Sequence, residues 1–246
     1  MEEKLQGIVL GGINFGENDK ILKIFTLGKG VVSAKIKGVK KAGAKLKFAS
    51  EPFCFAEFIF STSQDKRTVI GASLIESFYP IREDIEKYFC SSVILEFDKL
   101  FLMENMVSEK LFFLTINALK EIAYGEENCK SVLVKFLLSS LRESGYALNL
   151  NGCYKCGCKL KGRVFFDYLS GGFTCEECKE RGREINLETF LSLENAENGE
   201  ILTDRQSILA LRLLSYYIAN KPEENIKSLG ELLNIVKMWI NNIKNL

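Results

Sequence analysis

The chain has 246 residues, 47% hydrophobic and 26% charged, enough for one large domain or two modest ones and too apolar for global disorder. It opens Met-Glu-Glu-Lys-Leu-Gln, without the basic start and apolar stretch of a secretory signal, and no apolar run approaches bilayer length; the expectation is a cytoplasmic protein with no membrane partner. The net charge is +1, and the absence of any histidine removes the commonest general acid-base near neutral pH.

The first 78 residues read as strands. An apolar segment over 5–10 is closed by Gly11-Gly12, and the stretch Gly11-Gly-Ile-Asn-Phe-Gly16 reads as a loop between strands, since it lacks the Gly-Lys-Ser/Thr ending of a phosphate loop. A second strand covers 20–27, and Gly28-Lys-Gly30 makes a tight turn. Over 31–39, Val32, Ala34 and Ile36 alternate with Ser33, Lys35 and Lys37, so period two puts both lysines on one exposed face. A lysine-rich loop follows at 40–47, then an aromatic strand at 52–60, a polar turn at 61–66 and a fifth strand at 68–77. Five short antiparallel strands in this length fit a barrel of the OB type, which binds single strands on a basic face with aromatics for base stacking.

Charge is unevenly placed along this half. Between residues 20 and 50 stand nine lysines and no acid, which leaves the remainder of the chain at −8 against a total of +1. Such asymmetry points to a polyanion-binding region on an acidic body, because merely solvated faces usually mix signs. The expected DNA-binding residues are Lys35, Lys37, Lys40, Lys41, Lys45 and Lys47. Phe15, Phe25, Phe48, Phe53, Phe55, Phe58 and Phe60 supply aromatics, mostly for the core, with Phe48 the candidate for touching a base.

At Tyr79-Pro80 the period changes from two to about 3.6, which sets expected domains at 1–79 and 80–246. Ile85, Tyr88, Phe89, Val93, Phe97 and Leu100 mark one helix face; further helices are expected at 110–124 and 129–144, each stopped by a glycine. A helix from Thr203-Asp204 runs to about 220, before Lys221-Pro222. Ser228-Leu-Gly-Glu231 has the pattern of a capping box for the last helix, which carries Trp239.

Within this helical half, Cys153-Tyr-Lys-Cys156 and Cys175-Glu-Glu-Cys178 are separated by 18 residues, the spacing of a structural zinc site. Each pair turns both sulphurs toward one point, and two such knuckles give the four thiolates that tetrahedral Zn²⁺ prefers. The zinc element spans about 151–182, with a short hairpin turned at Gly171-Gly172. Four thiolates close the coordination sphere, so the metal is structural. Cys158 is an extra thiol that could replace Cys156 as a ligand, while Cys54, Cys90 and Cys129 sit singly in apolar segments as small hydrophobes.

These features in this order resemble the RecO family of bacterial DNA repair proteins: an α+β multidomain chain with a five-stranded OB-type barrel, then a helical domain carrying a four-cysteine zinc element. The stretch 14–30 looks like the family's first barrel hairpin, and Gly38-Val-Lys-Lys41 with Pro52-Phe53 like its basic loop and next strand. Gly152-Cys-Tyr-Lys-Cys-Gly157, Phe166 and Gly171-Gly-Phe-Thr-Cys-Glu-Glu-Cys178 look like its zinc element. The basic loop departs from the family in using lysine alone, which favours sequence-independent phosphate contacts. The resemblance implies a nucleoid-associated recombination mediator of the RecF-type pathway rather than an enzyme. It would bind single- and double-stranded DNA, anneal complementary strands, and with RecR help load RecA onto DNA coated by single-strand-binding protein, whose acidic C-terminal tail docks on the helical domain in some relatives. The residues alone also suit a zinc-containing OB protein acting on RNA or the ribosome. A thiol enzyme or metal-dependent hydrolase fits less well, for want of histidine or an activating motif.

Overall fold

The computed structural model describes residues 2–64, 66–102, 106–221 and 225–244, with side chains described to 237 in the last helix. Contacts divide the chain into two compact units, Met1–Glu83 with Leu95–Ile116, and Asp84–Ile94 with Asn117–Leu246. Among the described residues, no helix is long and apolar enough to cross a membrane.

The first unit is built on a closed barrel of β1 (Glu2–Phe15), β2 (Asp19–Thr26), β3 (Gly30–Ile36), β4 (Phe55–Ser63) and β5 (Lys66–Glu76), in the order β1-β2-β3-β5-β4. β1 pairs with both β2 and β4, and the ring is completed by a parallel pairing of β3 with β5. Closure leaves no free edge strand. The interior is filled by alternate residues: Val32, Ala34 and Ile36 from β3, Ala56, Phe58 and Phe60 from β4, with Val9, Leu22, Ile24 and Val69. Part of the helix Glu109–Tyr124 belongs to this unit, and its Phe112 meets Phe25 and Phe55 edge-on at centroid distances of 5.3 and 6.0 Å.

The loop expected at Gly11–Gly16 is instead the second half of β1, a strand of 14 residues. A Cβ at Gly12 would lie 2.7 Å from the Leu22 side chain and 3.0 Å from the Ile21 carbonyl, so glycine lets β1 and β2 pack closely there. Gly11, with φ of 146°, sits where the β1–β2 register shifts, so the two glycines bend the strand through a bulge without ending it. The fourth strand starts three residues later than expected, because 51–54 is a turn, with Cys54 N–H donating to the Glu51 carbonyl at 3.3 Å and Phe53 at φ of 66°.

Six α-helices are present among the described residues: α1 (Ile85–Phe101), α2 (Glu109–Tyr124), α3 (Cys129–Glu143), α4 (Leu187–Glu197), α5 (Asp204–Ile218) and α6 (Lys227–Lys244). On α1 the buried line is Cys90, Val93, Ile94 and Phe97; Ile85 and Tyr88, expected on that face, are exposed. Each unit holds one portion of α1 and one of α2. α5 starts with a capping box, Gln206 N–H to the Thr203 hydroxyl and Thr203 N–H to the Gln206 side chain. α6 starts at Lys227, which puts Ser228 inside its first turn, not at its cap. Pro222 and the Trp239 side chain lie outside the described residues.

Between α3 and α4 runs a small sheet of β6 (Asn149–Cys153), β7 (Val164–Asp167), β8 (Gly172–Cys175) and β9 (Arg183–Ile185), in the order β6-β8-β7-β9. The expected hairpin is β7–β8, and β6 and β9 extend it on either side. The sheet is packed into the second unit by an aromatic chain: Phe166–Phe173 at 4.9 Å, Phe173–Phe190 of α4 at 5.0 Å and Phe166–Tyr217 of α5 at 5.7 Å. Gly171, with φ of 67°, makes the turn into β8 and is pressed against the Tyr217 hydroxyl, where a Cβ would come within 2.7 Å.

Candidate nucleic-acid interface and metal centre

Residues 37–50 follow β3 and fold as a run of tight turns. Lys41, Ala44, Lys47, Ala49 and Ser50 each donate a backbone N–H to the carbonyl three residues earlier. Val39 and Ala49 point into the barrel core and Leu46 packs against it, so the apolar residues hold the segment down and leave the lysines outside. Lys37, Lys40, Lys41, Lys45 and Lys47 are all exposed, and none makes an ion pair among the described residues.

Lys35 is different. It is half-buried, its Nζ lies 2.8 Å from Asp19 Oδ2, and it sits 4.5 Å from the Phe15 ring centroid. Asp19 also accepts the Gly38 N–H at 2.8 Å, tying the β1–β2 turn to the start of the lysine segment. The Lys35 hydrogen bond, with that of Gly38, holds the Asp19 carboxyl below its ordinary value. Two more lysines of the run are paired with acids beyond its ends, Lys20 with Glu51 at 3.5 Å and Lys29 with Glu3 at 2.6 Å. The run is therefore less uniformly cationic in space than in sequence, and its unpaired charge is concentrated at 37–47.

Next to Lys35 lies a groove of about 440 Å³ lined by Phe15, Ile21, Lys35, Lys66, Arg67 and Thr68, among others. It crosses the outer face of the barrel, where Ile21 stands opposite Lys35 and Lys35 opposite Thr68. OB-type barrels use the face of their second and third strands, flanked by the loops after the first and fourth, to hold oligonucleotides. Phe15 is 48% exposed at this groove. Phe48 is also exposed but is not among the groove's lining residues. Lys66 and Arg67 escaped the sequence analysis because they are about 30 residues from Lys35, and only the parallel β3–β5 pairing brings them beside it.

The second site is formed by the two knuckles. Cys153 ends β6 and Cys175 ends β8, so the sheet brings the first cysteine of each pair together. In the first knuckle Gly157 donates to the Cys153 carbonyl at 2.8 Å and Cys153 donates to the Cys158 carbonyl at 2.9 Å. Gly152, with φ of 95°, allows this close return, since a Cβ there would lie 2.6 Å from the Cys158 oxygen. The sulphurs of Cys153, Cys156, Cys175 and Cys178 all lie within 4.8 Å of one another, with Cys156 and Cys175 3.9 Å apart. A tetrahedral metal–sulphur bond of about 2.3 Å requires sulphurs about 3.8 Å apart, so the donor set fits a thiolate-loving ion.

The charge state of the cluster is consistent with this. Burial raises the Cys153 thiol, but the backbone N–H groups of Cys156, Cys175 and Lys155 outweigh it and hold the thiol down to about 6. The sulphurs of Cys156 and Cys175, with burial adding, push Cys178 up to about 12. Four neighbouring sulphurs cannot all ionise without a cation between them. Cys158 is exposed and falls outside the converging group; hydrogen bonding to Cys156, with burial second, raises it to about 12. Around the cluster, Lys155 is paired with Glu180, and Arg163 with Glu176 and Glu184 at 2.8 Å each, whereas Lys159 and Lys161 are exposed.

Against the same sheet, a pocket of about 250 Å³ is lined by Phe166, Arg183, Ile185, Arg212, Leu213 and Tyr216, with Thr189 at its side. The Arg183 guanidinium lies 5.8 Å from the Tyr216 ring centroid. The pocket thus joins an apolar floor to two arginines that form no ion pair among the described residues.

Comparison with known proteins gives one consistent result. The family model described as Recombination protein O N terminal matches residues 1–78, and that described as Recombination protein O C terminal matches residues 82–230. A protein named DNA repair protein RecO from Acetivibrio thermocellus is 31% identical over 180 residues, 73% of this chain and 72% of its own. Its namesake from Caldicellulosiruptor saccharolyticus is 32% identical over 189 residues, 75% and 76% of the two chains. A third, from an Exiguobacterium species, is 26% identical over 250 residues and covers 98% of this chain and 99% of its own.

Proposed function

The chain belongs to the RecO family of DNA repair proteins, and on that premise we propose that it binds single- and double-stranded DNA without sequence preference and anneals complementary strands. The observation that carries the proposal is the run of five exposed, unpaired lysines beside a groove walled by Phe15, Lys35 and Arg67. Lysine is a mobile point charge that seeks phosphate but reads no base edge, so binding through it is electrostatic and indifferent to sequence. Lys37, Lys40, Lys41, Lys45 and Lys47 neutralise phosphates and release counterions, while Lys35 holds the groove wall against Phe15. A base seated in the groove would stack on Phe15, as single-strand binders commonly do. Screening by one basic surface also lets two strands approach, so annealing proceeds without covalent chemistry or a nucleotide cofactor.

In the cell this activity would serve a mediator, acting with RecR to help RecA load onto DNA coated by single-strand-binding protein. The pocket with Arg183 and Arg212 suits the acidic tail of that coating protein: its carboxylates would meet the arginines, and the aliphatic parts of the segment would lie against Phe166 and Leu213. The metal is Zn²⁺, held by Cys153, Cys156, Cys175 and Cys178. Zn²⁺ supplies no reaction there; it fixes the end of the sheet that supports this pocket.

Binding to matched DNA and RNA oligonucleotides, with Phe15→Ala and Arg67→Ala as variants, tests the proposal. Comparable affinity for unrelated DNA sequences, weakened several-fold by each substitution, is expected. A clear preference for RNA, or unchanged binding in both variants, would overturn it.

A further inference from the structure

Two cysteines outside the metal centre come together in the second unit. Cys90 lies in α1 and is fully buried; Cys129 is the first residue of α3 and is 8% exposed. The Cys90 thiol donates to the Cys129 sulphur across 3.6 Å, although 38 residues separate them in the chain. Forming a disulfide would shorten that gap by about 1.5 Å. Isolated buried cysteines have no sulphur partner; Cys54 is of that kind, and burial pushes its thiol up to about 11.

The pair is also asymmetric. Cys129 opens a 15-residue helix, where the backbone N–H groups and the helix dipole favour a thiolate. The hydrogen bond from Cys90 lowers the Cys129 thiol, against burial, and Lys130 next to it acts in the same sense, while Glu86 and Asp84 oppose. Lys130 itself is paired with Glu86 at 2.6 Å and Asp204 at 2.9 Å. Burial raises Cys90 well above an ordinary thiol. One sulphur is thus set up to attack and the other to follow.

We propose that Cys90 and Cys129 are a peroxide-responsive dithiol that oxidises to an intramolecular disulfide joining α1 to α3. The Cys129 thiolate attacks one oxygen of a hydroperoxide; the O–O bond breaks, the leaving oxygen takes up a proton, and Cys129 becomes a sulfenic acid. The Cys90 sulphur then attacks the Cys129 sulphur, the S–O bond breaks, and the departing hydroxide takes the Cys90 proton as water. Two thiols lose two electrons and the peroxide is reduced by two. A thiol reductant reverses the step, as for transient intracellular disulfides in general.

The test treats the full-length, metal-loaded protein with hydrogen peroxide, alkylates the remaining thiols and digests with trypsin. The peptides 88–99 and 121–130 each carry one of the two cysteines and none of the metal centre's. The expected product is these two peptides linked, two hydrogens lighter than their sum, and absent after dithiothreitol. The peptide containing Cys54 stays fully alkylated. In Cys90→Ala, Cys129 stops at the sulfenic acid and is trapped by dimedone; in Cys129→Ala, Cys90 gives no such adduct. Recovery of both wild-type peptides alkylated at millimolar peroxide would overturn the proposal. So would a link that forms only once Cys54 is oxidised too, or one made to a metal-centre cysteine instead.

Discussion

Replacing Lys40, Lys41 and Lys45 together with alanine tests the electrostatic account where it is most quantitative. All three are exposed and unpaired, so the substitutions remove charge without breaking an ion pair or opening the core. If each of the five free lysines neutralises one phosphate of a single strand, log K falls with log salt at a slope of about −3.5, using about 0.7 per phosphate. Between 50 and 200 mM salt that is a loss of about 100-fold in affinity. With two lysines left the slope becomes about −1.4 and the loss about 7-fold over the same range. Fluorescence anisotropy of labelled oligonucleotides at a series of salt concentrations measures both slopes directly. Lys35→Ala is the internal comparison: Asp19 already neutralises this lysine, so the slope should change much less than for Lys41→Ala. A triple variant with the wild-type slope would refute the assignment of the phosphate contacts to this segment.

Three further predictions concern stability. Cys175→Ser should abolish stoichiometric metal binding and lower the unfolding midpoint by roughly 10 °C, checked by metal analysis and calorimetry; an unchanged midpoint in metal-free protein would show the cluster to be inert. Asp98 is fully buried, and burial raises its carboxyl to about 8 despite the hydrogen bond with Thr115. Thr115 Oγ1 lies 2.7 Å from Asp98 Oδ2 and 3.0 Å from the Leu111 carbonyl, and having one proton it serves both only if Asp98 brings its own. The folded state therefore keeps a proton that the unfolded state loses above about 3.8, so stability should fall as pH rises from about 4 to 8 and level off beyond. Asp98→Asn should flatten that slope and gain a few kcal/mol at pH 8, read from denaturant unfolding across pH; an unaltered slope would contradict it. Lys130→Ala removes the buried ammonium and leaves Glu86 and Asp204 partly solvated, so it should cost about 1–2 kcal/mol by the same measurement, and unchanged stability would refute the importance of this ion pair.

Much of the barrel was legible because its signals are local. The alternation of Val32, Ala34 and Ile36 with Ser33, Lys35 and Lys37 is the pattern of a strand buried on one face, and the cysteine spacing predicts a converging cluster. What stayed hidden depends on long-range neighbours. Gly11-Gly12 looks like punctuation until Gly12 is packed under Leu22 and the register shifts at Gly11. β6 and β9, of five and three residues, are too short to show a period, and they become strands only by pairing with β7 and β8. The acid-free stretch counted from Lys20 begins one residue after Asp19, which folds back onto Lys35. Cys90 and Cys129 look like two single hydrophobes because nothing in the sequence predicts that the second turn of α1 will meet the start of α3.

The most direct test of the central claim is strand annealing: complementary oligonucleotides, metal-loaded protein, no nucleotide cofactor, and salt varied. The account predicts rapid annealing of unrelated sequences, slowed steeply by salt and strongly reduced, with a shallower salt dependence, in the Lys40, Lys41, Lys45 triple alanine variant. Folded, metal-loaded protein that leaves the spontaneous annealing rate unchanged at low salt would contradict it.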